Sequence, residues 1–157
     1  MGKIAAILKP ACIKIELAAR KKEEAIEELV ALLADAGEID NAPEVIEAVI
    51  ARERMVTTGV GDGVAIPHAR ISEIENTVMA FGKKKRGLPF NALDGRPVQL
   101  VFLLISPKAR EAEQLILLST LARLIRSRSV RKALLSARTP EQVISTLQGE
   151  ETRGAAR

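Results

Sequence analysis

The segment Arg52-Glu53-Arg54-Met55-Val56-Thr57-Thr58-Gly59-Val60-Gly61-Asp62-Gly63-Val64-Ala65-Ile66-Pro67-His68-Ala69-Arg70 separates two kinds of apolar pattern. Before it, apolar residues recur at helical spacing. Ala25, Leu29, Leu32 and Leu33 form one face of a helix over 21–36, with Glu23, Glu24, Glu27 and Glu28 elsewhere and Gly37 as its stop. Val45, Ile46, Val49 and Ile50 form one face of a second helix over 43–54, with Pro43 in its first turn. Within and beyond the segment the apolar runs shorten. Val64–Ile66, Thr77–Phe81 and Val98–Ile105 suit strands, and Leu100–Ile105 is the longest run of large apolar residues in the chain. Lys83, Lys84, Lys85 and Arg86, between Gly82 and Gly87, read as a solvated turn, with a surface for an acidic partner as the weaker alternative.

Helical spacing returns over 111–126, where Leu115, Leu118, Leu121, Ala122 and Ile125 are expected to be one core stripe. A shorter helix over 129–136 follows. Thr139, ahead of Pro140 and Glu141, reads as the N-cap of a last helix ending near Leu147, and 149–157 as a polar tail. Helices, then strands, then helices indicate a sheet covered by helices, an α/β or α+β sandwich. With no internal repeat and no linker, residues 1–157 are expected to form a single domain with its core over about 10–148.

Composition narrows the function classes. A chain of 157 residues can bury roughly 70% of its unfolded surface. Three Phe and no Tyr or Trp mean a core of Leu, Ile, Val and Ala. One cysteine, Cys12, allows no internal disulfide and no multi-cysteine metal site; it reads as a small buried hydrophobe in a cytoplasmic protein. Lys9, Pro10 and Lys14 break the N-terminal apolar run, which disfavours a signal peptide, and no run is long enough to insert in a membrane. The net charge of +4 sits largely in the C-terminal third. No aromatics interleave those cations and no nucleic-acid motif is present, so a nucleic-acid partner is not expected.

The chemistry centres on His68, the sole histidine. Gly59, Gly61 and Gly63 permit positive φ and close approach of a backbone or a phosphate. Pro67 fixes its own φ and holds Ile66 extended, so the backbone entering His68 is stiff. A fixed neutral imidazole suits a nucleophile near pH 7. The Rossmann and Walker spacings are not met, one His and one Cys cannot build a zinc site, and no nucleophile elbow is present. On residues alone a structural histidine and a catalytic one both remain open.

The stretch Thr58–Arg70, TGVGDGVAIPHAR, resembles the active-site signature of the fructose- and mannitol-type enzyme IIA family of the bacterial sugar phosphotransferase system, close to S/T-T-G-I-G-x-G-I-A-I-P-H. The likeness continues through Gly87–Val98, Ile105-Ser106-Pro107 and the helix at 113–125, and so spans nearly the whole chain. It implies an α/β fold with a mixed sheet covered by helices. It also implies a phosphocarrier without metal or cofactor: His68 takes a phosphoryl group on Nε2 from the phosphohistidine of HPr and hands it to a IIB domain. Arg52 matches the family arginine that contacts the phosphoryl group. Thr58, Gly59, Gly61, Gly63 and Gln114 are expected to surround the group. Gln114-Leu115 stands where many members have His-Leu, so a second-histidine role is in doubt. The sequence Arg52-Glu53-Arg54-Met55 and the chain's length lean towards the nitrogen-regulatory subgroup, whose phosphorylation state controls a target protein, over sugar transport. The alternative is a degenerate interaction domain that is never phosphorylated.

Overall fold

The computed structural model describes residues 3–156. Along the chain run α1 (Lys3–Ile7), β1 (Leu8–Lys14), α2 (Lys22–Asp35), α3 (Ala42–Met55), β2 (Gly59–Gly61), β3 (Val64–Ala65), β4 (His68–Ile71), β5 (Val78–Leu88), β6 (Val98–Pro107), α4 (Glu111–Ile125), α5 (Arg128–Ser136) and α6 (Pro140–Ala156). The sheet is mixed, in the order β1-β5-β6-β3-β2, with β4 also on β6. Strand β6 is its centre. One edge of β6 pairs antiparallel with β5, and the other receives β3 and then β4, both parallel.

Alternation along the central strands divides the core in two. Val78 and Ala80 of β5 and Val101, Leu103 and Ile105 of β6 pack with Ile26, Leu29, Leu33, Val45 and Val49 of α2 and α3. Met79 and Phe81 of β5 and Leu100, Phe102 and Leu104 of β6 pack with Leu117, Leu121, Leu124, Leu134 and Val143 on the other face. Phe81 and Phe102 are register partners whose rings lie 4.8 Å apart and tilted at 52°. Helices therefore cover both faces of a mixed sheet, the expected architecture. Cys12 is buried, and burial pushes its thiol pKa up. Among the described residues, no helix is long and apolar enough to cross a membrane.

Three sequence expectations are corrected. Residues 83–86 are not a solvated turn: β5 continues to Leu88, and Lys83, opposite Leu100, is 5% exposed. Its ammonium donates to the carbonyls of Leu134 (2.9 Å), Leu135 (2.8 Å) and Ala137 at the end of α5, the first of which also accepts from Ala137 N (3.3 Å). Burial lowers its pKa. Residues 149–156, expected as a polar tail past the last helix, are the last turns of α6, and the expected core limits are too narrow. Buried Glu151 accepts hydrogen bonds from the backbone N–H groups of Ile4 (3.0 Å) and Ala5 (2.9 Å), and Ile4 and Leu8 join the core. Arg157 lies outside the described residues.

The stripe on α4 is also rotated. Gln114, Leu117, Leu121, Leu124 and Ile125 face inward, while Ala122 is exposed and Leu115 is 60% exposed. The leucine-rich sequence offers two overlapping stripes, and periodicity alone cannot choose between them. The inward one carries Gln114, whose Nε2 donates to the Ala69 carbonyl (2.9 Å).

Lys83→Met keeps most of the side-chain volume but strips the end of α5 of its cation. We expect a loss of about 2 kcal/mol, since hydrogen bonds to charged groups contribute roughly 1.5–3 kcal/mol each and the carbonyls of Leu135 and Ala137 would lose this donor. Urea unfolding measures it; an unchanged midpoint would show that the ammonium contributes nothing net.

Candidate phosphoryl site

The segment that carries His68 is laid along β6 in two pieces. Val64 and Ala65 pair with Leu100 and Val101, and His68 to Ile71 pair with Leu104 to Pro107. Between them Pro67 lacks an N–H but accepts from Leu104 N (3.0 Å), and the Ile66 N–H turns back to the Thr58 carbonyl (3.0 Å). The Ile66 carbonyl faces the imidazole, 2.7 Å from His68 Nδ1. A carbonyl can only accept, so Nδ1 carries the hydrogen and the neutral ring leaves a lone pair on Nε2. Burial is the largest influence on the His68 pKa and lowers it. The bond to Ile66 and the Glu53 carboxylate oppose this, while Arg52 and Arg70 add to it. The imidazole is thus held neutral below the ordinary histidine range.

His68 borders a depression of about 550 Å³ between the C-terminal half of α3 and the start of α4. Arg52, Arg70 and Lys108 supply its cations. Arg52 Nη1 donates to the Val56 carbonyl (2.8 Å), which holds the guanidinium at the end of α3. Arg70 lies two residues from His68 on the same strand, so both point to one face, and its Nη1 is 3.2 Å from Glu111 Oε2. Gln114 lines the depression, as expected, but spends one amide hydrogen on Ala69. Exposed Met55 and Leu115 form its apolar walls, with exposed Val56 and Ile116 beside them in the chain.

Of the residues expected around His68, the structure brings Arg52 and Gln114 to the depression and leaves Thr58, Gly59, Gly61 and Gly63 outside its lining. Buried Thr58 donates its N–H (3.0 Å) and hydroxyl to the Glu53 carboxylate, which also lies 3.7 Å from Lys22 Nζ. Gly59 is packed so closely on Ala92 that a Cβ would stand 2.8 Å from the Ala92 Cβ. Gly61 and Gly63, at positive φ, turn the β2–β3 hairpin. These four residues shape the backbone leading to His68 and do not ring it. Sequence reading missed Arg70 and Lys108. Strand alternation from His68 could have found Arg70. Lys108 arrives only through the parallel β4–β6 register, which no local signal reveals. Among the described residues, no group of three or more His, Cys, Asp or Glu could hold a metal ion.

Residues 6–150 match the family described as "Phosphoenolpyruvate-dependent sugar phosphotransferase system, EIIA 2". The chain is 34% identical over 145 residues to the "PTS system fructose-specific EIIABC component" of Bacillus subtilis; the match covers 92% of this chain but only 23% of that longer protein. It is 36% identical over 142 residues to a "Nitrogen regulatory protein" of Bradyrhizobium diazoefficiens, covering 90% of this chain and 92% of that one. Its fold superposes on the crystal structure of the nitrogen regulatory protein IIA-Ntr from Neisseria meningitidis with a TM-score of 0.85, at 33% identity and over 92% and 98% of the two chains. The chain belongs to the type 2 EIIA family, phosphotransferase components of the phosphoenolpyruvate-dependent sugar phosphotransferase system.

Proposed function

We propose that this protein accepts a phosphoryl group on Nε2 of His68 from the phosphohistidine of an HPr-type carrier, and that its phosphorylation state serves mainly for regulation. The observation that carries the reading is the Nδ1–H···O=C bond to Ile66, which leaves Nε2 as the free nucleophile beside three cations. In the transfer the Nε2 lone pair forms a new N–P bond while the N–P bond to the donor imidazole breaks, and the donor ring regains its neutral form. Bonds of one type are exchanged, so the reaction is close to isoergic, and the catalytic demand is alignment and charge stabilisation. Arg52 is the residue proposed to hold the phosphoryl oxygens, helped by Arg70 and Lys108. The neutral imidazole, kept so by burial, needs no base.

Exposed Met55, Val56, Leu115 and Ile116 give a carrier an apolar collar to dock on while its phosphohistidine enters the depression. The same collar would serve the onward partner, a IIB domain or a regulated protein in the cytoplasm. The regulatory emphasis is supported by nitrogen regulatory relatives that match over nine-tenths of both chains.

Incubation with phosphoenolpyruvate, enzyme I and HPr should add one acid-labile phosphoryl group, read by intact mass. His68→Ala should abolish it; undiminished labelling of folded His68→Ala would remove the central claim. Arg52→Ala should slow labelling by roughly tenfold to a hundredfold, the worth of one charge-assisted bond. A wild-type rate would reduce Arg52 to a helix-end residue.

The pH dependence has a definite sign. Because the folded state lowers the His68 pKa, labelling should hold steady as pH falls through 6.5 and decline only at lower pH. The same group makes the fold lose stability as pH falls below about 6.5, where the unfolded histidine charges and the buried ring does not, until the folded-state pKa is reached. The single histidine makes the NMR titration unambiguous, and a midpoint at or above 6.5 would contradict the site's electrostatics.

Gln114→His should raise the transfer rate or lengthen the life of the phosphohistidine, most clearly below about pH 6.5, where an unperturbed imidazole is charged. No change in either quantity between about pH 6 and pH 8 would make the glutamine a neutral replacement.

A further inference from the structure

We propose that a second, arginine-lined groove, separate from the His68 depression, binds a small anion containing a diphosphate unit. It lies at the N-terminal end of β6. Two adjoining hollows of about 330 and 640 Å³ share Asp62, Gln99 and Arg131 along their walls. The first hollow adds Arg86 and Arg96, and the second adds Arg128 and Lys132 over a floor of Leu100 and Leu135. Leu104, the register partner of His68, is four residues further along β6 than Leu100, about 13 Å at strand rise.

Five cations meet one lining carboxylate, Asp62. None of the five makes an ion pair among the described residues. Nearby Asp94 is already committed: its carboxylate accepts from the backbone N–H groups of Asp62 and Arg96, at 3.0 Å each. The convergence is built into the backbone. A Cβ on Gly87, at φ +83°, would stand 2.5 Å from the Pro97 Cβ, so only glycine lets these two segments touch. That contact brings the preceding residues, Arg86 and Arg96, onto one hollow although they are ten positions apart in the chain. Arg131 is fixed from behind: its Nη1 donates to the carbonyls of Ile125 (2.7 Å) and Arg126 (3.0 Å) at the end of α4. Gln99 is likewise fixed, its Nε2 donating to the Lys85 carbonyl (2.8 Å).

Five cations held together against one lining carboxylate destabilise the empty protein, and a concave, mainly cationic wall focuses the field on an anion. Planar guanidinium forks match phosphate oxygens two at a time. Cations along two joined hollows suit two linked phosphates better than one. No aromatic side chain lines the groove, so it offers bases nothing to stack on and does not fit single-stranded nucleic acid.

The test uses the full chain at about 50 mM salt, where screening is modest. Inorganic pyrophosphate and adenosine triphosphate are titrated by calorimetry, and amide shifts locate the site. Expected are binding that weakens at least tenfold in the exposed double variant Arg86→Gln/Arg96→Gln, and shifts at Gly63, Gln99 and Arg131 that leave His68 unmoved. Equal binding of the two would assign the diphosphate group alone; tighter binding of the triphosphate would extend the ligand to a nucleotide. Undiminished affinity in the double variant, no binding at millimolar pyrophosphate, shifts centred on His68, or tighter binding of a single-stranded oligonucleotide or an acidic peptide would each overturn the proposal.

Discussion

One edge of β6 receives two short strands separated by a proline, and the site depends on that break. Gly63 and Pro67 turn their carbonyls to Leu100 N and Leu104 N of β6, so by alternation the Ile66 carbonyl points away from that ladder. Pro67 interrupts the ladder with no N–H of its own to satisfy, and the Ile66 carbonyl is left to the imidazole two residues on. The hydrogen bond fixes both the tautomer and the direction of the ring. The break in turn is held by β2, because Ile66 N reaches the Thr58 carbonyl and Thr58 is anchored to buried Glu53 at the end of α3. Arg52 precedes Glu53 on the same helix. A single helix end therefore supplies the cation facing His68 and the anion that anchors the backbone leading to it.

The division of labour between Arg52 and Glu53 follows from their positions on α3. Adjacent helical residues point about 100° apart, so one can face the depression while the other is buried behind it. Glu53 is 4% exposed, and its carboxylate is satisfied by two Thr58 donors and by Lys22, itself 5.9 Å from the Phe90 ring centroid. A buried anion without such partners would be costly. With them it raises the His68 pKa only in part against the larger effect of burial.

Much of this was legible in the sequence, for identifiable reasons. The period of α2 and α3, the apolar run of β6 and the cap at Thr139, whose Oγ1 accepts from Gln142 N (3.2 Å), are local signals, and the structure repeats them. His68, Arg52 and Gln114 were placed together by resemblance to a family, not by spacing. What the sequence hid is non-local. Lys83 reads as a surface charge because its partners are carbonyls some fifty residues away. Glu151 reads as tail because its partners are at the other end of the chain. The glycines of the motif read as a phosphate cradle because close approach to a ligand and close approach to Ala92 leave the same trace in a sequence.

The cations of the β5 region show how one stretch of sequence can serve two ends. Lys83 points into the layer of α5 and is neutralised by carbonyl dipoles, which a flexible ammonium can gather from three directions. Arg86, three residues on, is exposed beside Gly87 and meets other guanidinium groups. The difference lies in what faces each along the strand. Lys83 is opposite Leu100, in the middle of the sheet and under a helix end; Arg86 falls in the irregular register between Lys83 and Leu88, where the pairing with β6 lapses. A run of four basic residues is therefore not one feature. Its first member is part of the core, and its last is part of a charged surface where cations outnumber carboxylates.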